Sequence, residues 1–131
     1  MSISLYFNEI KAIADKYTET DFVLGSVLHF DIRPGNQGYL KGEITFADKS
    51  VLFVKEFLDY YKKINKVMYC YHYQNNINEL IFRYDNAQHK PPLKTIDHKH
   101  LPNNIVIEAT EPDFQDIIIE ICTIQDFIHK V

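Results

Sequence analysis

Three of the six histidines in this chain fall in one stretch, RYDNAQHKPPLKTIDHKH, from Arg83 to His100. The same stretch carries Arg83, Lys90, Lys94 and Lys99. Imidazoles give and take protons near neutral pH, and guanidinium and ammonium groups hold anions. These types together suit the binding of an anionic ligand, acid–base chemistry, or both. Pro91 and Pro92 lack backbone donors and fix φ, so neither helix nor central strand should run through them. The stretch is therefore expected to be a long basic loop, a place where function concentrates more than packing.

The elements around the loop must position it. Ser2 or Ser4 can cap a first helix running to about Thr18, with Leu5, Tyr6, Ile10, Ile13, Ala14 and Tyr17 near one stripe. The period then switches to two. Strands are expected over 23–32, 39–46 and 51–60, separated by turns at Pro34-Gly35-Asn36 and Ala47-Asp48-Lys49-Ser50. Lys62 to Lys66 reads as a polar link. Residues 67–74 and 79–84 form a hairpin closed by Asn75-Asn76-Ile77-Asn78. An even-numbered loop there sets His72 opposite Ile81 and Cys70 opposite Arg83, with His72 and Arg83 diagonal neighbours on one face. The same arithmetic for the hairpin before it sets Lys41 opposite Glu56, on the face of Leu52 and Val54. Ile105-Val106-Ile107 reads as a short strand or bridge. A helix over 112–129, opened by Thr110 and Asp113, turns Phe114, Ile117, Ile118 and Ile121 inward, with Phe127 and Ile128 as further candidates. The fold class is α+β: an N-terminal helix, about five antiparallel strands, the long basic loop and a C-terminal helix. Helices on one sheet face leave the other partly open.

The bulk numbers agree with one domain over 1–131. Apolar residues make up 46% and charged residues 24%, a composition that supports a packed core. No apolar run approaches the roughly 18–20 residues needed to span a bilayer. The opening MSISLYFNEIKAIADKY lacks the basic-then-apolar order of a secretory signal. Cys70 and Cys122 are the two cysteines, each in an apolar context, and they are expected to be reduced thiols of a cytoplasmic protein. The formal net charge of −4 is unevenly spread. Residues 49–66 hold five lysines against Glu56 and Asp59, and 108–131 hold six acids against Lys130. The global charge speaks weakly against nucleic acid, while the local asymmetry keeps an anionic ligand at the basic loop.

Read as a unit, YCYHYQNNINELIFRYDNAQHKPPLKTIDHKH, residues 69–100, resembles the TumE family of toxins from type II toxin–antitoxin modules. The shared pattern is a Tyr-x-Tyr-His-Tyr strand, an apolar strand ending Phe-Arg-Tyr-Asp-Asn, a following His, and a closing His-Lys-His. Gly38-Tyr39 and Leu52-Phe53-Val54-Lys55-Glu56 fit the family's first hairpin more loosely. The chain departs at Thr95-Ile96-Asp97, where an aromatic and a proline are expected, and at Lys90, where a second His is common. The resemblance implies a small toxin neutralised by a cognate antitoxin protein. Toxins of this build are often ribonucleases, an analogy at the level of fold.

Metal-free RNA cleavage needs a base for the 2′-OH, an acid for the 5′-oxygen and a cation for the phosphorane. His72, His98 and His100 are candidate acids and bases, and Glu56 could replace one of them. Arg83 and Lys99 are candidate charge stabilisers. Tyr84 or Tyr73 could stack a base, and Asp85 and His89 complete the substrate-binding set. No cofactor or metal is expected. A metal site built from His98 and His100 with His89 or Asp97 is a rival, disfavoured by the charge of Lys99. The main alternative is a non-catalytic protein that binds RNA or the antitoxin. Each residue also has a plainer use. His72 can bond across the sheet, Arg83 can pair with Asp85 to pin the loop, and Tyr69, Tyr71 and Tyr73 can form a half-buried stripe. Exposed sheet edges permit a homodimer.

Overall fold

The computed structural model describes residues 2–87 and 97–127. Its elements are helix α1 (Ile3–Thr18), strands β1 (Val23–Arg33), β2 (Gln37–Phe46), β3 (Val51–Tyr61), β4 (Lys63–Gln74), β5 (Leu80–Asp85), β6 (His98–Leu101) and β7 (Ile105–Glu108), and helix α2 (Phe114–Gln125). All seven strands form one antiparallel meander in chain order. Both helices lie on one face.

Alternation decides which side chains they cover. Leu40, Ile44, Phe46, Leu52, Val54, Leu58, Tyr69, Tyr71, Tyr73 and Phe82 are buried, with Phe7, Ile10 and Ala14 of α1 and Phe114, Ile117, Ile118 and Ile121 of α2. Gly38 lets α1 approach: a Cβ there would stand 2.6 Å from Ile3 Cγ2. Helix α1 starts where Ser2 Oγ accepts from Leu5 N–H at 3.1 Å. Helix α2 starts with a reciprocal capping box between Asp113 and Asp116. Among the described residues no helix is long and apolar enough to cross a membrane.

The α+β class, both helices and the antiparallel sheet agree with the sequence, but seven strands replace about five. Two features account for the difference. Lys62 adopts φ 65° and turns the chain tightly, so the expected polar link is the start of β4. His98–Leu101, read as part of the loop, pairs with both β5 and β7. Helix α2 is also shorter than expected. Its N-cap is Asp113, not Thr110, and it ends at Asp126 in a left-handed cap.

Register is the larger correction. Phe46 N–H donates to Ser50 O at 2.9 Å and Asn75 N–H to Glu79 O at 2.9 Å, so both hairpin loops hold three residues. Lys49 (φ 67°) and Asn78 (φ 65°) take the left-handed position that such loops require. Lys41 therefore faces Lys55, and Glu56 faces Leu40 on the covered side. In the later hairpin a bulge at Ile81 adds a second one-residue shift, and His72 stands directly opposite Arg83 instead of Ile81. One shift would have flipped every face, and two restore them.

Candidate active site

Three strands bring candidate side chains together on the open face. His72 on β4, Arg83 on β5 and His100 on β6 are successive register partners. In the next row Cys70, Asp85 and His98 are partners in the same way. Adjacent strands lie about 4.8 Å apart, so the backbones of His72 and His100 stand about 10 Å apart with Arg83 between them.

Asp85 is the hub of this group. Its Oδ1 bonds His98 Nε2 and accepts from Ala87 N–H at 3.2 Å. Its Oδ2 accepts from Arg83 Nε at 3.0 Å and lies 3.3 Å from His100 Nε2. The carboxylate is buried, and His98 is 1% exposed. A buried charge persists only with partners of this number and sign. The pairing of Arg83 with Asp85 is the plain use foreseen for both, but Arg83 stays 39% exposed at its side chain and reaches further. Its Nη2 lies 3.4 Å from His100 Nε2. His100 thus has two settings: an Nε2 proton is donated to Asp85, and a bare Nε2 accepts from Arg83.

His72 sits on the other side of Arg83, half-buried, with Nε2 3.2 Å from Gln74 Oε1. Burial holds its imidazole below the ordinary 6.5; Arg83 pushes the same way and the Gln74 bond opposes. It is therefore a neutral imidazole at neutral pH, ready to accept a proton. His72, Lys55, Cys70, Arg83 and Asp85 line a depression of about 530 Å³. Arg83 also walls a second depression of about 660 Å³ with His100, Asn103 and Asn104.

Asp85, His98 and His100 offer ligand atoms within 4.8 Å of one another, a donor set that could hold a divalent cation. The third donor is Asp85, not Asp97, which accepts from Tyr69 OH at 2.7 Å. Arg83 sets a fixed positive charge against the set, touching both Asp85 and His100. The arrangement fits proton transfer and anion binding better than cation binding.

Four candidates from the sequence lie on the covered face instead. Glu56 is fully buried, with Oε1 accepting from Tyr6 OH at 2.6 Å and Oε2 from Tyr71 OH at 2.5 Å. Lys66 completes that network, 4.0 Å from Glu56 Oε2 and donating to Pro112 O at 2.6 Å. Burial and Glu56 together push the Tyr6 and Tyr71 phenols well up, so both stay protonated donors. Tyr73 is buried under α2, bonded to Ser50 at 2.6 Å and Gln125 at 3.0 Å. Tyr84 and Lys99 both bind Glu120, at 2.6 and 2.7 Å, tying α2 to the sheet. None of these four reaches the group around Arg83. Tyr69, Tyr71 and Tyr73 are buried outright rather than half-buried. His89 lies outside the described residues. Sequence reasoning missed Lys55 as a neighbour of His72, although the alternation of β3 puts it opposite Leu52 and Val54, on the open face.

No curated protein and no solved structure matches the chain. Residues 10–129 match the family described as Toxin TumE, which is nearly the whole chain and includes every side chain of the Arg83 group. The chain therefore belongs to the TumE family of toxins.

Proposed function

We propose that this toxin acts on RNA as a small ribonuclease whose chemistry is supplied by its own imidazoles and guanidinium, and that a cognate antitoxin protein of a type II module holds it in check in the cytoplasm. The observation that carries the reading is the register row His72, Arg83, His100. Two imidazoles flanking a guanidinium support the reading, because in-line displacement at phosphorus calls for a proton acceptor and a proton donor on opposite sides of a cation.

His72, neutral, takes the proton of the ribose 2′-OH. The 2′-oxygen attacks phosphorus, and the bond from phosphorus to the 5′-oxygen breaks. His100, held through Nε2 by Asp85, gives a ring proton to the departing 5′-oxygen, leaving a 2′,3′-cyclic phosphate and a 5′-hydroxyl. Arg83 neutralises the phosphorane. Asp85 orients His100 and Arg83, and His98 anchors Asp85 from the buried side. His98 is a positioning residue in this scheme, since its ring is enclosed.

Purified protein incubated with single-stranded RNA in chelator should cleave it to ends of that type. His72→Ala and His100→Ala should abolish cleavage while the protein stays folded. RNA left intact by folded wild type across several substrates would overturn the catalytic reading. The non-catalytic alternative draws support from the enclosed Asp85–His98 pair, which could serve only to fix β6 on β5. It predicts salt-sensitive binding without turnover, weakened by Arg83→Ala.

A further inference from the structure

The open face has two features that the chemistry at Arg83 leaves unused. Lys41 and Lys55 stand directly opposite one another on β2 and β3. Like charges in that relation repel, and among the described residues neither lysine forms an ion pair. Beside them Phe53 leaves 37% of its surface in solvent. Its ring lies 6.1 Å from that of His72. Phe53 lines the depression that holds His72 and Arg83, and also a second one that holds His29 and Lys41. Phe53 thus borders both depressions.

Register explains the path. Phe53, His72 and Arg83 follow one another across β3, β4 and β5, and Lys41 and Lys55 occupy the adjoining row. Phe53 is two strands from Arg83, about 10 Å. Glu43 faces Phe53 from β2, a negative charge that disfavours phosphate at that end of the Phe53 row. Asp85 stands at the far end of the lysine row, where its charge disfavours phosphate beside the Arg83 of the adjoining row. An exposed aromatic beside opposed cations is the pairing that grips a polynucleotide by base and by backbone.

We infer that this face binds single-stranded RNA, with one base stacked on Phe53 and the neighbouring phosphate held between Lys41 and Lys55, so that the strand is led to His72 and Arg83. The inference rests on the RNA reading above and names its substrate as a strand with unpaired, splayed bases. A duplex keeps its bases stacked inside and cannot offer one to Phe53.

The test is fluorescence anisotropy with a fluorescein-labelled octanucleotide carrying 2′-O-methyl riboses, which cannot be cut by attack of a 2′-hydroxyl. Phe53→Ala should raise Kd about tenfold, Phe53→Leu should do the same, and Phe53→Tyr should bind as wild type. Lys55→Ala should reduce the slope of log affinity against log salt by about 0.7. A duplex of equal length should bind more weakly than the single strand. Wild-type affinity in Phe53→Ala, equal binding of the duplex, or no binding of the octanucleotide at all would overturn the inference. If the octanucleotide binds as stated but cleavable RNA stays whole, the catalytic reading fails and the platform stands. If RNA is cut and Phe53→Ala leaves KM unchanged, the platform fails and the catalytic reading stands.

Discussion

At the scale of single residues, the site is one carboxylate shared among three basic side chains, with a fourth, His72, standing across Arg83. Each partner of Asp85 restrains another, so substitutions here should be unequal. Arg83→Ala removes the group proposed to neutralise the phosphorane and should cost about 10²-fold or more in cleavage rate. Arg83→Lys keeps the charge but loses the fork that reaches Asp85 and His100 together, so it should recover only part of that rate. The proton chemistry of His72 can be read without turnover. Its folded imidazole titrates below 6.5 because burial outweighs the opposing Gln74 bond, with a smaller push from Arg83. The histidine ring signals in a pH series by NMR should therefore show a midpoint for His72 below 6.5, and Arg83→Gln should move it upward. A midpoint at or above 6.5 in wild type would remove His72 as the neutral base. The sign for stability follows. The unfolded chain binds this proton more readily than the folded one, so the contribution of His72 to stability falls as pH drops through and below about 6.5.

At the scale of elements, the covered face is joined to the helices by polar groups that the sequence offered as chemistry. Glu56 is the clearest case. It receives phenols from α1 and β4 and sits near Lys66, whose ammonium also binds the turn before α2. Glu56→Ala should destabilise the fold by about 3–5 kcal/mol in chemical denaturation, because Lys66 and two phenols lose their buried acceptor. Glu56→Gln keeps an acceptor and should lose less, with cleavage retained once folded; abolished cleavage in well-folded Glu56→Gln would return Glu56 to the catalytic set. What was legible in the sequence follows the same division. Both helices and the first strands were legible, because apolar spacing reports which side of an element is buried. The odd loop before β3 was not, since a lysine at φ 67° carries no turn signature, and the Asn75–Asn78 run offers several residues for the left-handed position, so it does not fix the length of its loop. Strand β6 was hidden because His98, Lys99 and His100 look like loop chemistry, although β5 and β7 clamp them from both sides. The joint placement of His72 and Arg83 on one face survived only because the loop and the bulge at Ile81 each moved the register by one. Tyr73, Tyr84 and Lys99 were misplaced for a related reason: types that suit RNA also suit a polar seam beneath a helix, and sequence alone does not say which face they join.

At the scale of the whole molecule, helices seal one face of the sheet and leave the other to meet a partner. The formal charge of −4 hides this division: six of the eighteen acids lie in residues 108–131, while Lys41, Lys55 and Arg83 outnumber Glu43 and Asp85 in the two rows of the open face that hold the site. Affinity for a polyanion should then follow the local face and not the total. Engaging three phosphates predicts a slope of about −2 for log affinity against log salt with single-stranded RNA. Binding that tracked the total charge would be weak at every ionic strength and would improve as salt screened the repulsion. The same division reaches the cell. Inducing the wild-type chain should arrest growth, and Arg83→Ala should release it, because both readings of the site run through that guanidinium. His100→Ala separates them: a catalytic toxin loses arrest with the proton donor, whereas a toxin that only occupies RNA keeps it, since Arg83 and the lysines still hold the phosphates. Arrest that survives His100→Ala and disappears in Arg83→Ala would therefore assign the open face to binding alone.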